Sequence, residues 1–126
     1  MSPTREIVAP AAAKGQPASV LVRGGDFLFL SGLTATDPKT GERLPGTTAG
    51  ETRQILTNLK ELLEAAGSSL DKVVKCNVYC TDAKHFATIN AVYARYFPKD
   101  PPARSFICVS AWHGPFDVEM DCIATI

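Results

Sequence analysis

Several segments of the chain alternate apolar and polar residues, a pattern that indicates strands with one packed face. The apolar runs 19–23 and 27–31 flank Gly24-Gly25-Asp26, and this arrangement predicts a β-hairpin. Segment 73–81 alternates as well, and its polar face is predicted to carry Lys75, Asn77 and Tyr79. Its packed face is predicted to carry Val74, Cys76, Val78 and Cys80.

Leucines at helical spacing predict a first helix that runs from near Thr48 to just before Gly67. Thr47 or Thr48 is expected to cap its first turn, because a hydroxyl oxygen accepts the free backbone N–H groups there. A second helix is predicted after Thr81-Asp82, and Pro98 closely follows its last turn. One face of this helix holds Phe86, Ile89, Asn90, Tyr93, Tyr96 and Phe97.

Two closing strands, at 103–111 and 118–126, complete the predicted order ββαβαββ. Residues 1–17 are rich in Pro and Ala and are expected to form a loosely packed N-terminal arm with a short strand at most. Residues 1–126 are read as a single domain. Its predicted class is α+β, a mixed β-sheet with two helices packed on one face, and the uncovered face predicts an oligomer interface.

Composition and charge exclude some classes of function. Thirteen basic residues balance thirteen acidic ones, whereas nucleic-acid binding usually requires a cationic excess, so no nucleic-acid partner is expected. No apolar run reaches the roughly 18 residues of a membrane span and no secretory signal is visible, so we expect a soluble protein without a membrane partner. Four cysteines with apolar neighbours and no CxxC pair predict reduced, mostly buried thiols, no metal site and a cytoplasmic location.

Two charged residues in the closing strands are candidates for chemistry. Arg104 follows Pro101-Pro102 and precedes an apolar run, and its guanidinium fork matches a carboxylate with two parallel hydrogen bonds. Glu119 lies in an otherwise apolar strand and could orient or deprotonate a water. The alternative for each is an ordinary structural ion pair. A structural role is favoured for Asp121, which shares a face with Glu119.

Four pairs of segments resemble the RidA/YjgF family, which is also described as the endoribonuclease L-PSP family. They are 29–32 with 36–41, 52–60 with 64–67, 71–75 with 86–97, and 102–105 with 118–119. No single segment is decisive, but they occur in order and with family-like spacing from about residue 19 to the C-terminus.

The resemblance implies a chorismate-mutase-like fold assembled as a homotrimer with pockets between subunits. It also implies a cofactor-independent deaminase that hydrolyses reactive 2-imino acids or enamines, such as 2-aminoacrylate, to a 2-keto acid and ammonia. Arg104 would hold the substrate carboxylate, and Glu119 would position the attacking water. The substrate-lining positions would be Ser31, Gly32, Asn90 and Phe106.

The sequence departs from the family pattern in the expected walls of this pocket. Ala18 stands where characterised deaminases have a tyrosine, Leu33 replaces a glutamine, and Phe106 replaces a cysteine. The segment 112–117 replaces the usual final loop. Its Trp112 and Phe116 are expected either to line the cleft or to fill the subunit contact.

These departures keep three alternatives open. The protein could deaminate a specialised metabolite, such as an aminomuconate-like compound. It could also be a non-catalytic sensor that binds a keto acid or similar carboxylate through Arg104. A ribonuclease is the third alternative, which the balanced charge disfavours. His113, in the final loop, is a weaker candidate for acid/base catalysis.

Overall fold

The computed structural model describes residues 5–10, 16–112 and 114–126. Six strands form one sheet in these residues: β1 (Arg5–Pro10), β2 (Ser19–Gly24), β3 (Phe27–Leu33), β4 (Val73–Cys80), β5 (Ala103–Cys108) and β6 (Val118–Thr125). Helix α1 (Thr48–Ala65) follows β3, and helix α2 (Phe86–Tyr96) follows β4. The strand order is β1-β2-β3-β6-β4-β5, and β4–β5 is the parallel pair. The predicted α+β class, a mixed sheet with two helices, is confirmed.

The element order differs from the prediction by one strand, because β1 lies in the segment expected to be a loose arm. β1 pairs with β2 at the edge of the sheet, where Ile7 remains 54% exposed. Backbone pairing holds this strand with little burial, so its apolar pattern is weak. The observed order is therefore βββαβαββ, and residues 1–4 and 11–15 of the predicted arm lie outside the described residues.

The predicted hairpin is confirmed as β2 and β3. Gly24 pairs with Phe27, so the connecting turn consists of Gly25 and Asp26. Gly25 has a φ of 59°, a left-handed conformation that a residue without a Cβ adopts at little cost. The turn fixes the register, so alternate residues of both strands, Leu21 and Leu28 among them, reach the core.

Helix α1 begins and ends close to the predicted positions. Thr47 Oγ1 accepts a hydrogen bond from the backbone N–H of Gly50 at 3.0 Å, which caps the first turn. Gly67, with a φ of 83°, follows the C-terminal end. Both helices bury apolar residues in one core: Ile55, Leu56, Leu59, Leu63, Ile89, Val92 and Tyr93. No helix in the described part of the chain is long and apolar enough to cross a membrane.

The helices cover one face of the sheet and leave the other open. The covered face carries buried residues that join the helices in the core: Leu21, Leu28, Leu30, Cys76, Val78, Cys80, Val118, Met120, Cys122 and Ala124. The alternate residues point to the opposite, open face, where Phe27, Phe29 and Ile107 are each about 45% exposed. Exposed aromatic and aliphatic residues therefore lie on the face that the two helices leave uncovered.

The alternation predicted for β4 is wrong at Val74. Val73 pairs with Ala124 and Lys75 pairs with Ile123, so Val74 is the extra residue of a β-bulge. The bulge leaves Val73 buried and Val74 44% exposed. From Cys76 to Cys80 the strand alternates as predicted, because the bulge lies before this stretch.

Candidate active site

Arg104 lies near the start of β5, the edge strand that runs parallel to β4. Its register partner is Cys76, whose side chain is buried, so the Arg104 side chain lies on the covered face and reaches α2. Arg104 Nη1 donates a hydrogen bond to Asn90 Oδ1 at 2.8 Å. Because a guanidinium group can only donate, this contact fixes the orientation of the Asn90 amide. Two of the predicted site residues are therefore in direct contact.

Three aromatic rings surround the Arg104 guanidinium. Its Cζ atom lies 4.8 Å from the ring centroid of Tyr93, 5.4 Å from that of Phe106 and 6.0 Å from that of Phe86. Phe86 and Phe106 also contact each other edge to face, with centroids 4.8 Å apart. Cation–π attraction stabilises the charge without neutralising it. The sequence placed Phe86 and Tyr93 on a helix face but gave no signal that they would contact this arginine.

No carboxylate of the described residues forms an ion pair with Arg104. The ion pair present in this part of the chain is Lys60–Glu64, an exposed pair on α1 with a 3.5 Å separation. Among the described residues, the alternative of a structural ion pair for Arg104 therefore finds no partner. A pocket of about 370 Å³ adjoins the guanidinium, and its walls are Asn90, Tyr93, Ala94, Phe97, Pro101, Pro102 and Arg104. This volume is of the size that small-molecule sites occupy.

Ser31 and Gly32 lie at an irregularity between β3 and β6. Leu30 pairs with Cys122 and Leu33 with Met120, so β3 has one residue more than β6 in this interval. Ser31 Oγ donates a hydrogen bond to the carbonyl oxygen of Ser19 at 2.6 Å, which ties the bulge to the start of β2.

Glu119 lies against Gly32. A Cβ atom added to Gly32 would collide with the carboxylate of Glu119, so the absence of a side chain lets the carboxylate lie on the backbone of β3. Glu119 is also the register partner of Tyr79 on β4. The close approach gives a physical reason for glycine at position 32, because any side chain there would displace the Glu119 carboxylate.

The predicted site residues form two groups on opposite faces of the sheet. Arg104, Asn90 and Phe106 lie together on the covered side, because β5 presents Arg104 and Phe106 in register with buried residues of β4. Ser31, Gly32 and Glu119 lie together on the open side, because Glu119 is in register with Tyr79 rather than with a buried residue. A single chain therefore does not bring Arg104 and Glu119 into a common pocket.

Asp121 belongs to a hydrogen-bonded cluster on the open face. Its Oδ1 accepts from Asn77 Nδ2 and its Oδ2 accepts from Tyr79 Oη, each at 2.8 Å. The hydrogen bond to the Asp121 carboxylate, aided by burial, raises the pKa of Tyr79 above its ordinary value. Both oxygens of Asp121 thus have donors, which supports the structural role favoured from the sequence.

The loop before β6 is held by a residue that the sequence analysis did not single out. Glu51, in the first turn of α1, is 1% exposed, and its carboxylate accepts backbone hydrogen bonds from Asp117 at 2.8 Å and Gly46 at 3.1 Å. Trp112 Nε1 donates to the carbonyl oxygen of Phe116 at 2.7 Å, and Phe116 is buried. These contacts fix the approach to Val118 and Glu119. His113 lies outside the described residues.

The four cysteines are free thiols, as predicted, and Cys108 is the exposed one. Burial raises the pKa of Cys76 to about 11, so this thiol stays protonated beneath Arg104 at neutral pH. Burial likewise raises the pKa of Cys122 and of Tyr93. The Cys76 thiol and the Tyr93 phenol beside the arginine are therefore uncharged at neutral pH.

The fold defines the chain as an α+β protein, and solved structures share this architecture. RidA from an Antarctic Psychrobacter superposes with a TM-score of 0.83 at 37% identity, over 94% of each chain. The structure described as the YjgF gene product of Escherichia coli superposes with a TM-score of 0.82 at 38% identity, over 93% of this chain and 92% of that one.

Sequence relatives point the same way. A RutC family protein of Pyrococcus horikoshii is 44% identical over 86% of each chain. The 2-iminobutanoate/2-iminopropanoate deaminase of Bos taurus is 40% identical over 92% of this chain and 83% of its own length. The family model described as Endoribonuclease L-PSP matches residues 7–126. The chain therefore belongs to the endoribonuclease L-PSP family, the RidA/YjgF family that its motifs resemble.

Proposed function

We propose that the protein hydrolyses reactive 2-imino acids and their enamine tautomers to 2-keto acids and ammonia, in a pocket between subunits of a homotrimer. The observation that carries the proposal is Arg104: a guanidinium held by Asn90 and three rings, without a carboxylate partner among the residues that the structure describes, beside a pocket of about 370 Å³. A bovine relative of 40% identity is named for this reaction. The free thiols fit the reducing cytoplasm, which we propose as the compartment.

Arg104 would bind the carboxylate of the substrate. Nη1 is engaged by Asn90, and the other terminal nitrogen with Nε can face a ligand as a fork. The Tyr93 and Phe106 rings limit the rotation of the guanidinium, so less ordering is required when a substrate binds. The neutral thiol of Cys76 beneath the site does not compete for the positive charge.

Glu119 would orient the attacking water, and it would come from a neighbouring subunit. Within one chain the sheet separates Glu119 from Arg104, so a common pocket requires the open face of one subunit to meet the β5 edge of another. The exposed Phe27, Phe29 and Ile107 on the open face provide apolar surface for this contact. The separation of Arg104 and Glu119 within one chain is therefore the reason for including the trimer in the proposal.

The reaction balances with water as the other reactant. Water adds to the imine carbon, its oxygen forms the new C–O bond, and the nitrogen takes up a proton to give a carbinolamine. The C–N bond then breaks, ammonia leaves, and the oxygen becomes the carbonyl of the keto acid. Because an imine carbon is already electrophilic, holding it beside an oriented water supplies most of what the reaction needs.

The test is to generate 2-aminoacrylate in situ and measure ammonia and keto-acid release with and without the purified protein. We expect acceleration by the wild type and a loss of kcat/KM on the order of 100-fold or more in Arg104→Ala, because the carboxylate loses a charge-assisted bidentate contact. Arg104→Lys keeps the charge without the fork and should fall between the two. Acceleration that survives in Arg104→Ala would contradict the role of this residue.

A binding-only sensor is the competing candidate, favoured by the absence of a hydroxyl at exposed Ala18. Calorimetric titration with 2-ketobutyrate separates the two. Binding that requires Arg104, without acceleration of any imine tested, would replace the enzyme by a sensor. If the protein neither accelerates imine hydrolysis nor binds 2-ketobutyrate, the proposed carboxylate site at Arg104 is wrong.

A further inference from the structure

Two thiols meet at the far end of the same parallel strand pair. Cys80 and Cys108 are register partners in β4 and β5, and their sulfur atoms lie 3.7 Å apart. Neighbouring strands are about 4.8 Å apart, which falls within the range of about 4.4–6.8 Å that disulfides span between Cα atoms. A rotation of one side chain can therefore close the remaining gap between the sulfur atoms.

The two thiols differ in exposure. Cys80 is fully buried and donates a hydrogen bond to the carbonyl oxygen of Asp82 at 3.3 Å, whereas Cys108 is exposed. Burial and the adjacent Cys108 thiol raise the pKa of Cys80 to about 11. An oxidant thus reaches Cys108 first, while Cys80 remains an unreacted thiol in contact with it.

We propose that Cys80 and Cys108 form a reversible oxidation site, in which a hydroperoxide converts the two thiols to an intramolecular disulfide. The Cys108 thiolate attacks the peroxide oxygen, the O–O bond breaks, and Cys108 becomes a sulfenic acid as the first water leaves. The Cys80 sulfur then attacks the Cys108 sulfur, and its proton leaves with the hydroxyl as the second water. The peroxide is reduced by two electrons and the thiol pair is oxidised by two.

The disulfide would close a loop of the chain that contains α2. Residues 81–107 contain Asn90, Tyr93, Phe106 and Arg104, so the bond would join the two strands on either side of the helix that supports the guanidinium. The site lies outside the proposed substrate contacts, and its chemistry does not depend on the deaminase activity. Its test needs no turnover measurement.

The test exposes the native full-length protein to hydrogen peroxide, blocks the remaining thiols under denaturing conditions and measures intact mass and peptides. We expect labelled thiols to fall from four to two, a single peptide link between Cys80 and Cys108, and recovery of four thiols after dithiothreitol. Cys108→Ser, an exposed substitution, should lose the link, and Cys80→Ala should leave a dimedone-reactive sulfenic acid at Cys108.

Three results would overturn the proposal. One is oxidation of Cys108 to sulfinic acid without the link in the wild type. Another is a Cys108–Cys108 bond between chains, and the third is an equal yield of the Cys80–Cys108 link from urea-unfolded protein, which would remove the role of the fold. If Cys80→Ala fails to fold, Cys108→Ser and the wild type still decide the outcome.

Discussion

The two faces of the sheet place their charged side chains in different surroundings. On the covered face, Arg104 lies among Phe86, Tyr93 and Phe106. No carboxylate among the residues that the structure describes forms an ion pair with it. On the open face, hydrogen-bond donors hold Asp121, and Glu119 lies on the backbone of Gly32.

The sheet between the two faces prevents the cation and Glu119 from neutralising each other within one chain. Had the two side chains shared a face, they could have formed an internal ion pair that blocks the arginine. A pocket that used both residues would therefore need two chains.

Glu119→Gln should remove turnover while leaving ligand binding to Arg104 in place. We expect kcat to fall by about 10²–10⁴-fold, the usual contribution of a general base, with the Kd for a keto acid changed by less than about threefold. Stopped-flow ammonia release and calorimetric titration measure the two quantities. Asp121→Asn, two residues away on the same face, is the matched control, and an equal loss of kcat there would deny Glu119 a special role.

Mixed oligomers should recover activity from two inactive variants. If each pocket takes Arg104 from one subunit and Glu119 from its neighbour, random mixing of Arg104→Ala with Glu119→Gln subunits leaves about one quarter of the pockets intact. We expect about a quarter of wild-type activity after refolding an equimolar mixture, and native mass spectrometry confirms the mixing. Mixed oligomers that stay inactive would show that the pocket does not combine these residues from two subunits.

Gly32→Ala should disturb the open face without changing the arginine. The added Cβ collides with the Glu119 carboxylate, which has to move away from the β3 backbone. A displacement of this size should lower kcat by about tenfold, as measured in the same assay. Gly46→Ala adds a methyl group where no atom lies within 4 Å, and should leave kcat unchanged. Equal effects of the two substitutions would attribute the loss to glycine removal in general.

Glu51→Gln should weaken the support of the strand that carries Glu119. The amide can accept at one position but presents N–H groups to a backbone donor at the other, either at Gly46 or at Asp117. We expect the free energy of unfolding to fall by about 1–3 kcal/mol, the cost of an unsatisfied buried donor. Urea denaturation measures it. Glu64→Gln on the exposed face of α1 is the control, and should cost under about 1 kcal/mol.

Some elements could be predicted from the sequence and others could not. Leucine spacing and Thr47 located α1, and Gly24-Gly25-Asp26 located the hairpin, because both signals depend on residues close together in the chain. The assignment of Val74 failed, since a one-residue bulge between β4 and β6 depends on pairing with a distant strand. β1 was left out of the predicted order, although a short strand was allowed in the N-terminal arm, because an exposed edge strand leaves almost no apolar pattern.

The candidate site divides in the same way. Motif residues and side-chain chemistry made Arg104, Asn90 and Glu119 candidates for the site. Nothing local in the sequence showed that Phe86 and Tyr93 would enclose the guanidinium, because these contacts join α2 to β5. Glu51 was missed for a similar reason, since its partner Asp117 lies 66 residues away.

The α+β class, the turns and caps, the family and the candidate residues for carboxylate binding followed from the sequence alone, because each depends on short-range periodicity or side-chain chemistry. The tertiary structure decided which sheet face each residue occupies, since strand register and bulges are set by pairings between distant segments. It therefore decided that Arg104 and Glu119 lie on opposite sides of one sheet. It also decided that Cys80 and Cys108, 28 residues apart, lie in contact.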